Sequence, residues 1–258
     1  MTRPSTDSQS DARHAPRLEV AIVVPCKGRI EHLRESVPRL LRQRTQVEYL
    51  IVVVDYGDPD NCFEWVARQK HPRLAAIRVE NDVEEFNLSR ARNCGACAFT
   101  SRLIGFADAD ALFDPRWLES AIKPIQSGGA TATIPDWPWP EPDVLPACGI
   151  SVVTASVFHQ VRGFDEAFRG WGHEDKDYIG RVRSVGGLGF FDAGLFELIP
   201  HDAALRVAHY GNKHRSRSNF GNKARAAGRR GSVNPDGYGA GKIESFYCGN
   251  GASAMAGD

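Results

Sequence analysis

Three carboxylates, one aromatic residue and two glycines fall within the single segment Gly170-Trp171-Gly172-His173-Glu174-Asp175-Lys176-Asp177. A positioned carboxylate can act in proton transfer, but this placement alone explains nothing about catalysis. Downstream, Tyr178, Ile179 and Val182 recur at helical spacing, which places the acids in a helix's first turn, where the N-terminal dipole favours negative charge. Taken alone, the segment reads equally well as an acidic helix start behind a glycine turn. A second set of chemical groups lies far upstream, with Lys27 and Arg29 after one apolar run, Asp55 and Asp58 after the next, and Asp108-Ala109-Asp110 after a third. Cations there suit a phosphate, and a carboxylate after the second run suits a ribose or base edge. An Asp-X-Asp beyond a buried strand can hold a divalent cation against a diphosphate.

The intervening residues must bring these groups together. The runs 20–25 and 49–54 are continuously apolar, as in strands buried on both faces of a parallel sheet, and 74–80 and 103–107 are read as two more strands. Helical patterns occupy 31–43, 62–70 and 89–102. This alternation predicts an α/β fold with an open, mostly parallel, Rossmann-like sheet flanked by helices and right-handed crossovers, in which ligands bind beyond the carboxyl ends of the strands. The three pairs of polar residues sit at those ends.

Composition narrows the function classes. A chain of 258 residues, 42% hydrophobic, is long enough for one large domain, and its 32 basic residues balance 32 acidic ones. That balance argues against a nucleic-acid binder or a basic membrane-surface protein. No apolar run approaches the ~20 residues of a membrane span, and residues 1–17 lack the apolar core of a signal peptide, so the expected location is cytoplasmic with peripheral membrane contact left open. The six cysteines are scattered through apolar segments, which predicts reduced, buried thiols. Cys94-Gly95-Ala96-Cys97 raises a redox protein as an alternative class, but the motif lies inside a helical pattern with no Trp before it and no Pro within.

These residues also carry a family resemblance. Residues 25–33, Pro25-Cys26-Lys27-Gly28-Arg29-Ile30-Glu31-His32-Leu33, are similar to an opening P-F-R-N-R-x-E-H-L. Phe86-Asn87 with Arg90, Asn93 and Gly95 is similar to an F-N-x-A-K…N-x-G helix, and the stretch from Gly149-Ile150-Ser151 through Gly163-Phe164 to Trp171–Asp177 is similar to G-V-S…G-F…W-G-G-E-D-D-D. Over residues 18 to 215 the chain resembles a GT-A fold nucleotide-sugar glycosyltransferase, with a family 2 type N-terminal half and a C-terminal region of the β-1,4-galactosyltransferase type.

The resemblance implies roles for individual residues. Pro25, Lys27, Arg29, Asp55, Arg90 and Asp108 would bind the nucleotide sugar, with Lys27 and Arg29 on the diphosphate and Asp55 on the uridine. Trp171, Gly172 and Glu174 would bind a saccharide or glycoconjugate acceptor, and Asp175 would be the general base. Asp110 and His209 would hold a metal, and their mixed oxygen and imidazole shell suits Mn²⁺ better than the alternative, Mg²⁺. The implied reaction is an inverting, metal-dependent transfer of a sugar from a UDP-sugar such as UDP-Gal or UDP-GalNAc. Glycoside hydrolysis also uses paired carboxylates but has no use for cations and Asp-X-Asp at strand ends.

Departures from the family pattern fall at Arg206, in place of a metal-binding methionine, at His173 for glycine, at Lys176 for an acid, and at Pro146, where a bulky tyrosine selects galactose. The expected organisation is a disordered tail over 1–17, a nucleotide-sugar half over 18–115, an acceptor-binding and catalytic half over 116–213, and a basic Gly/Ser-rich lid or flexible tail over 214–258. Trp137 and Trp139, in a proline-rich loop, either line an acceptor channel or pack within their own loop.

Overall fold

The computed structural model describes residues 18–79, 85–137, 149–202, 204, 207–211, 214–239 and 243–251. Expectations that fall on the N-terminal 17 residues, Trp139, Pro146, Cys148 and Arg206 lie outside the described residues.

Strand β1 (Val20–Cys26) and strand β2 (Tyr49–Asp55) are buried at every position, as their unbroken apolar runs require. They pair in parallel from Val20 opposite Tyr49 to Cys26 opposite Asp55. Strand β3 (Leu74–Val79) adds to β2 in parallel, and β4 (Leu103–Phe106) adds to the other side of β1. Three helices make the crossovers: α1 (Ile30–Leu40), α2 (Cys62–Gln69) and α3 (Leu88–Cys97). α3 starts where Asn87 accepts the Arg90 N–H at 2.9 Å, and it stops at Cys97, short of the expected Arg102. The chain then turns through residues 98–102 into β4.

Beyond β4 the chain departs from simple alternation. Strand β5 (Ala111–Phe113) directly follows Asp110 and leads into α4 (Trp117–Gln126). Strands β6 (Ala132–Pro135) and β7 (Ser151–Thr154), helices α5 (Ala155–Gln160) and α6 (Glu174–Val185), and strands β8 (Leu188–Phe191) and β9 (Phe196–Leu198) follow. The last elements are α7 (Arg215–Gly228) and β10 (Ile243–Cys248). The main sheet has the order β10-β3-β2-β1-β4-β7-β6-β8, in which β7 and β10 run against the other six strands. β5 and β9 form a separate antiparallel pair.

The alternation of side chains along each strand divides the core into two layers. Val20, Ile22 and Val24 of β1 pack with Leu33, Val37, Val66 and Trp117 from α1, α2 and α4. Ala21 and Val23 face Ala91, Cys94, Phe158 and Tyr178 from α3, α5 and α6. On this second face α3 lies close to the sheet, because a side chain at Gly95 would collide with Val23 and Val54. That closeness lets polar residues of α3 reach the loop after β4.

The reading of residues 214–258 as one lid or tail needs division. α7 is docked, with Asn222 donating to the Gly172 carbonyl at 2.8 Å, and Arg229 just beyond it pairs with Asp165 and Asp177 at 2.6 and 2.7 Å. β10 completes the sheet edge beside β3. Its aromatic residues Phe246 and Tyr247 pack against the two core layers, a strand signal hidden by the Gly/Ser-rich average of the surrounding composition.

Candidate active site

The carboxyl ends of β1 and β4 open into a cavity of about 290 Å³. Pro25, Lys27 and Arg29 line it from the β1 end, Asp108 and Asp110 from the β4 end, and Trp171, Glu174 and Asp175 from the start of α6. The two distant sets of chemical residues therefore converge on one space.

The local backbone explains the α6 side. Gly170, Gly172 and His173 all have left-handed backbone, with φ of 70°, 101° and 74°. At His173 a residue with a Cβ holds a conformation that glycine adopts without cost, which gives the physical reason for glycine in the related motif. The turn delivers Glu174, Asp175 and Asp177 into the first turn of α6, as the spacing predicted. Asp177 is tied by Arg181 at 2.9 Å and by Arg229 at 2.7 Å, so it supports the turn and does not face the cavity. Asn93 of α3, wholly buried, braces the preceding loop by accepting the Phe164 N–H and donating to its carbonyl, each at 2.9 Å.

Arg92 joins the two sides. Its side chain is 1% exposed, and its Nη1 donates to Asp175 Oδ1 at 2.6 Å while Nη2 donates to Asp108 Oδ1 at 3.1 Å. The guanidinium also lies 4.9 Å from the Phe164 ring centre. One rigid fork thus sets the spacing between the Asp-X-Asp loop and the acids of α6. Desolvation at the cavity wall raises the Asp108 carboxyl to about 6, against the opposing pull of Arg92. Burial, reinforced by the Asp175 charge, raises Glu174 to about 8. Glu174 Oε2 is buried with no hydrogen-bond partner among the described residues.

The sequence expectation placed Arg90 at the nucleotide sugar, yet it is Arg92 that lines the cavity. Arg90 pairs instead with Glu166 at 3.3 Å. Two positions along a helix turn the side chain by about 200°, so both cannot face the same cavity. Asp55 also lies apart from the cavity lining: its buried carboxylate accepts the Asp58 N–H at 2.8 Å and pairs with Arg78 at 2.9 Å. Gly172 contributes backbone to the turn and does not line the cavity.

The contact to Asp110 also differs from expectation. His201 Nε2 donates to Asp110 Oδ2 at 2.6 Å, and the His201 side chain is 4% exposed. The antiparallel pairing of β5 with β9, extended by the Ile199 N–H bonding the Asp110 carbonyl at 2.8 Å, brings His201 there. His209 lines the same cavity and packs directly over Gly28. Sequence reasoning missed both Arg92 and His201. The signal for His201 was its place just beyond a strand that pairs with the residues after Asp-X-Asp. A carboxylate and an imidazole with their donor atoms at 2.6 Å on a cavity wall are a donor set suited to a divalent transition metal.

The CxxC alternative receives no support. Cys94 is buried in α3, and burial raises the Cys97 thiol to about 11, the reverse of what thiol reactivity needs.

A mostly parallel sheet with cations and Asp-X-Asp at its strand ends, facing a turn of acids, is the arrangement that the resemblance to GT-A fold nucleotide-sugar glycosyltransferases implies. Comparison with known proteins agrees. The glycosyl transferase family 2 description matches residues 21–147, and that for the N-terminal domain of galactosyltransferase matches residues 131–195. Together the two descriptions follow the chain from residue 21 to residue 195, the first of glycosyl transferase family 2 type and the second of galactosyltransferase type.

Among curated relatives, validoxylamine A glucosyltransferase of Streptomyces hygroscopicus subsp. jinggangensis is 26% identical over 227 residues, covering 67% of this chain and 53% of its own. Human beta-1,4-galactosyltransferase 5 is 28% identical over 193 residues, covering 72% of this chain and 44% of its own. The chain thus spans about half the length of these relatives. Among solved structures, the mannosyltransferase PcManGT from Pyrobaculum calidifontis, in complex with GDP-Man and Mn²⁺, superposes with a TM-score of 0.63 at 19% identity, covering 85% of this chain and 66% of that one. S. aureus TarS 1-349 in complex with UDP-GlcNAc gives 0.56 at 12% identity, covering 78% and 69%. Among the described residues, no helix is long and apolar enough to cross a membrane.

Proposed function

We propose that this glycosyltransferase moves a hexose from a UDP-sugar to a hydroxyl of a saccharide or glycoconjugate, with inversion and with the aid of a divalent cation, Mn²⁺ before Mg²⁺. The observation that carries the reading is the Arg92 bridge, which holds Asp108 of the Asp-X-Asp and Asp175 of α6 across one cavity. Donor and acceptor sides are thereby held in fixed relation, the condition for near-attack geometry.

In this reading Lys27 and Arg29 bind the donor's diphosphate and stabilise charge developing on it as it leaves. Asp110 and His201 would hold the cation, with His209, which lines the same cavity over Gly28, as a further donor, and Asp108 would support the nucleotide's ribose. The cation would supply Lewis-acid stabilisation of the leaving diphosphate. Arg92 grips Asp175 by one oxygen only and leaves the other to take the acceptor's proton. Glu174, held protonated by burial near neutral pH, donates to an acceptor oxygen, which satisfies its otherwise orphaned buried carboxyl. Trp171 supplies the flat apolar face against which a sugar ring stacks.

Asp175→Asn tests the assignment. Turnover falls by at least roughly 10²-fold while UDP affinity stays nearly unchanged. A parallel loss of UDP binding would place Asp175 on the donor and remove it as the base.

A further inference from the structure

Outside this cavity, one group of three metal-ligating side chains comes together among the described residues. Cys26, at the end of β1, Cys62, at the start of α2, and Asp58, in the loop between β2 and α2, present two Sγ atoms and a carboxylate oxygen within 4.8 Å of one another. Both thiols are fully buried and Asp58 is 8% exposed. The parallel register that sets Cys26 opposite Asp55 brings the β1 end under the Asp58 loop, and α2 returns Cys62 over both. The loop leading into α2 carries the exposed residues Gly57, Pro59, Asp60 and Asn61.

The chemistry of the trio is specific. The Cys62 thiol is hydrogen-bonded to Cys26, so the two sulfurs already lie side by side, and this contact with burial raises the Cys62 ionisation. Two sulfurs with one carboxylate match zinc and its heavier relative cadmium, whereas magnesium and calcium take oxygen shells. Asp58 already has a structural task. Its carboxylate accepts the Gly28 N–H, in the loop that carries Lys27 and Arg29, and the Cys62 N–H at 3.0 Å.

We propose that Cys26, Cys62 and Asp58 form a binding site for a thiophilic divalent cation of the zinc class, separate from the donor cavity and coupled to it through Gly28. Binding releases two thiol protons to solvent and forms two metal–sulfur bonds and one metal–oxygen bond, with water in the fourth position and no change of oxidation state. As Asp58 turns to the cation, its grip on the Gly28 N–H loosens, and the loop carrying Lys27 and Arg29 loses definition.

Cadmium titration of the reduced, full-length chain tests the site independently of any transferase assay. The wild type develops the ultraviolet sulfur-to-cadmium charge-transfer band at one equivalent. Cys26→Ser/Cys62→Ser abolishes that band, whereas Cys97→Ser/Cys248→Ser keeps it. A band that survives in the first variant, or is lost in the second, overturns the proposal. Should the Cys26→Ser/Cys62→Ser chain fail to fold by circular dichroism, cadmium NMR of the wild type decides: a two-sulfur shift supports the site, and a shift of purely oxygen and nitrogen ligation overturns it. Coupling is read as UDP affinity weakened at least about tenfold (~1.4 kcal/mol) by the cadmium equivalent in the wild type. Unchanged affinity removes the link through Gly28.

Discussion

Arg92→Met offers the sharpest test of how the cavity is held together. The substitution keeps an unbranched apolar stem of similar length and removes the one cation, among the described residues, that pairs with both Asp108 and Asp175. Removing one partner of a buried ion pair typically costs about 3–5 kcal/mol, because the remaining charge is left uncompensated. Here Asp108, Glu174 and Asp175 would face one another without the guanidinium that now pairs with two of them, so the upper part of that range is expected at pH 8. The pH dependence follows from linkage. Asp108 already titrates at about 6 in the folded chain, above the ordinary aspartate value, and Arg92 is what holds it from rising further. A folded-state carboxyl with a raised pKa keeps a proton that the unfolded chain releases, so its contribution to stability is present at low pH and lost as pH rises through the folded value. Without Arg92 that window widens upward, at about 1.4 kcal/mol for each added pKa unit. Urea unfolding of both chains at pH 5 and pH 8 should therefore show a penalty several-fold larger at pH 8. A penalty below about 1 kcal/mol at both values, or a larger one at pH 5, would refute the bridge.

Glu174→Gln should flatten the stability profile between about pH 4.5 and 8: the wild type, whose Glu174 holds its proton to about 8, loses stability across that interval as pH rises, and an equally sloped variant would show that Glu174 is not the group responsible. His201→Ala and Asp110→Ala should each raise the Mn²⁺ concentration for half-maximal transfer at least about tenfold, and His209→Ala by less; activity that persists after exhaustive chelation sinks the metal assignment. Trypsin should cut the free chain at the exposed Arg217, Lys223 and Arg225 of α7 and slow markedly with UDP plus Mn²⁺ but not with either alone, since Arg215 stacks at 4.0 Å on Trp171 at the cavity mouth. Identical rates under all conditions would leave α7 as a fixed wall with no lid function.

The parts of the fold that were legible in the sequence were those with unbroken local signals. β1 and β2 are built on the six-residue apolar runs 20–25 and 49–54, and their ends, where Lys27, Arg29 and Asp55 follow or close the strand, were placed correctly. The first turn of α6 was likewise visible from its acids and the helical spacing behind them. The later strands β6, β7 and β8 have four residues each, too few for a period to show, and β7 reverses direction without any local mark. The site was legible to the extent that its residues lie at strand ends. Arg92 was passed over because choosing between it and Arg90 requires knowing which face of α3 meets the sheet. His201 meets Asp110 across 91 positions of chain through the β5–β9 pairing, a relation that spacing along the sequence does not encode. Asp55 has the strand-end position expected of a nucleotide contact, but Arg78, a β3 residue opposite it in the parallel register, claims its carboxylate.

The central claim is that the cavity binds a UDP-sugar with the help of a divalent cation, and thermal unfolding in the presence of nucleotide sugars measures it most directly. A ligand at 100 times its dissociation constant adds roughly 2.7 kcal/mol of stability. For a chain of this size each kcal/mol is worth about 2–4 °C, so a rise of roughly 5–10 °C is predicted for the cognate UDP-sugar with Mn²⁺. The same sugar without Mn²⁺, or Mn²⁺ without the sugar, should give much less. No shift with any nucleotide sugar, or an equal shift with and without the cation, would contradict the account.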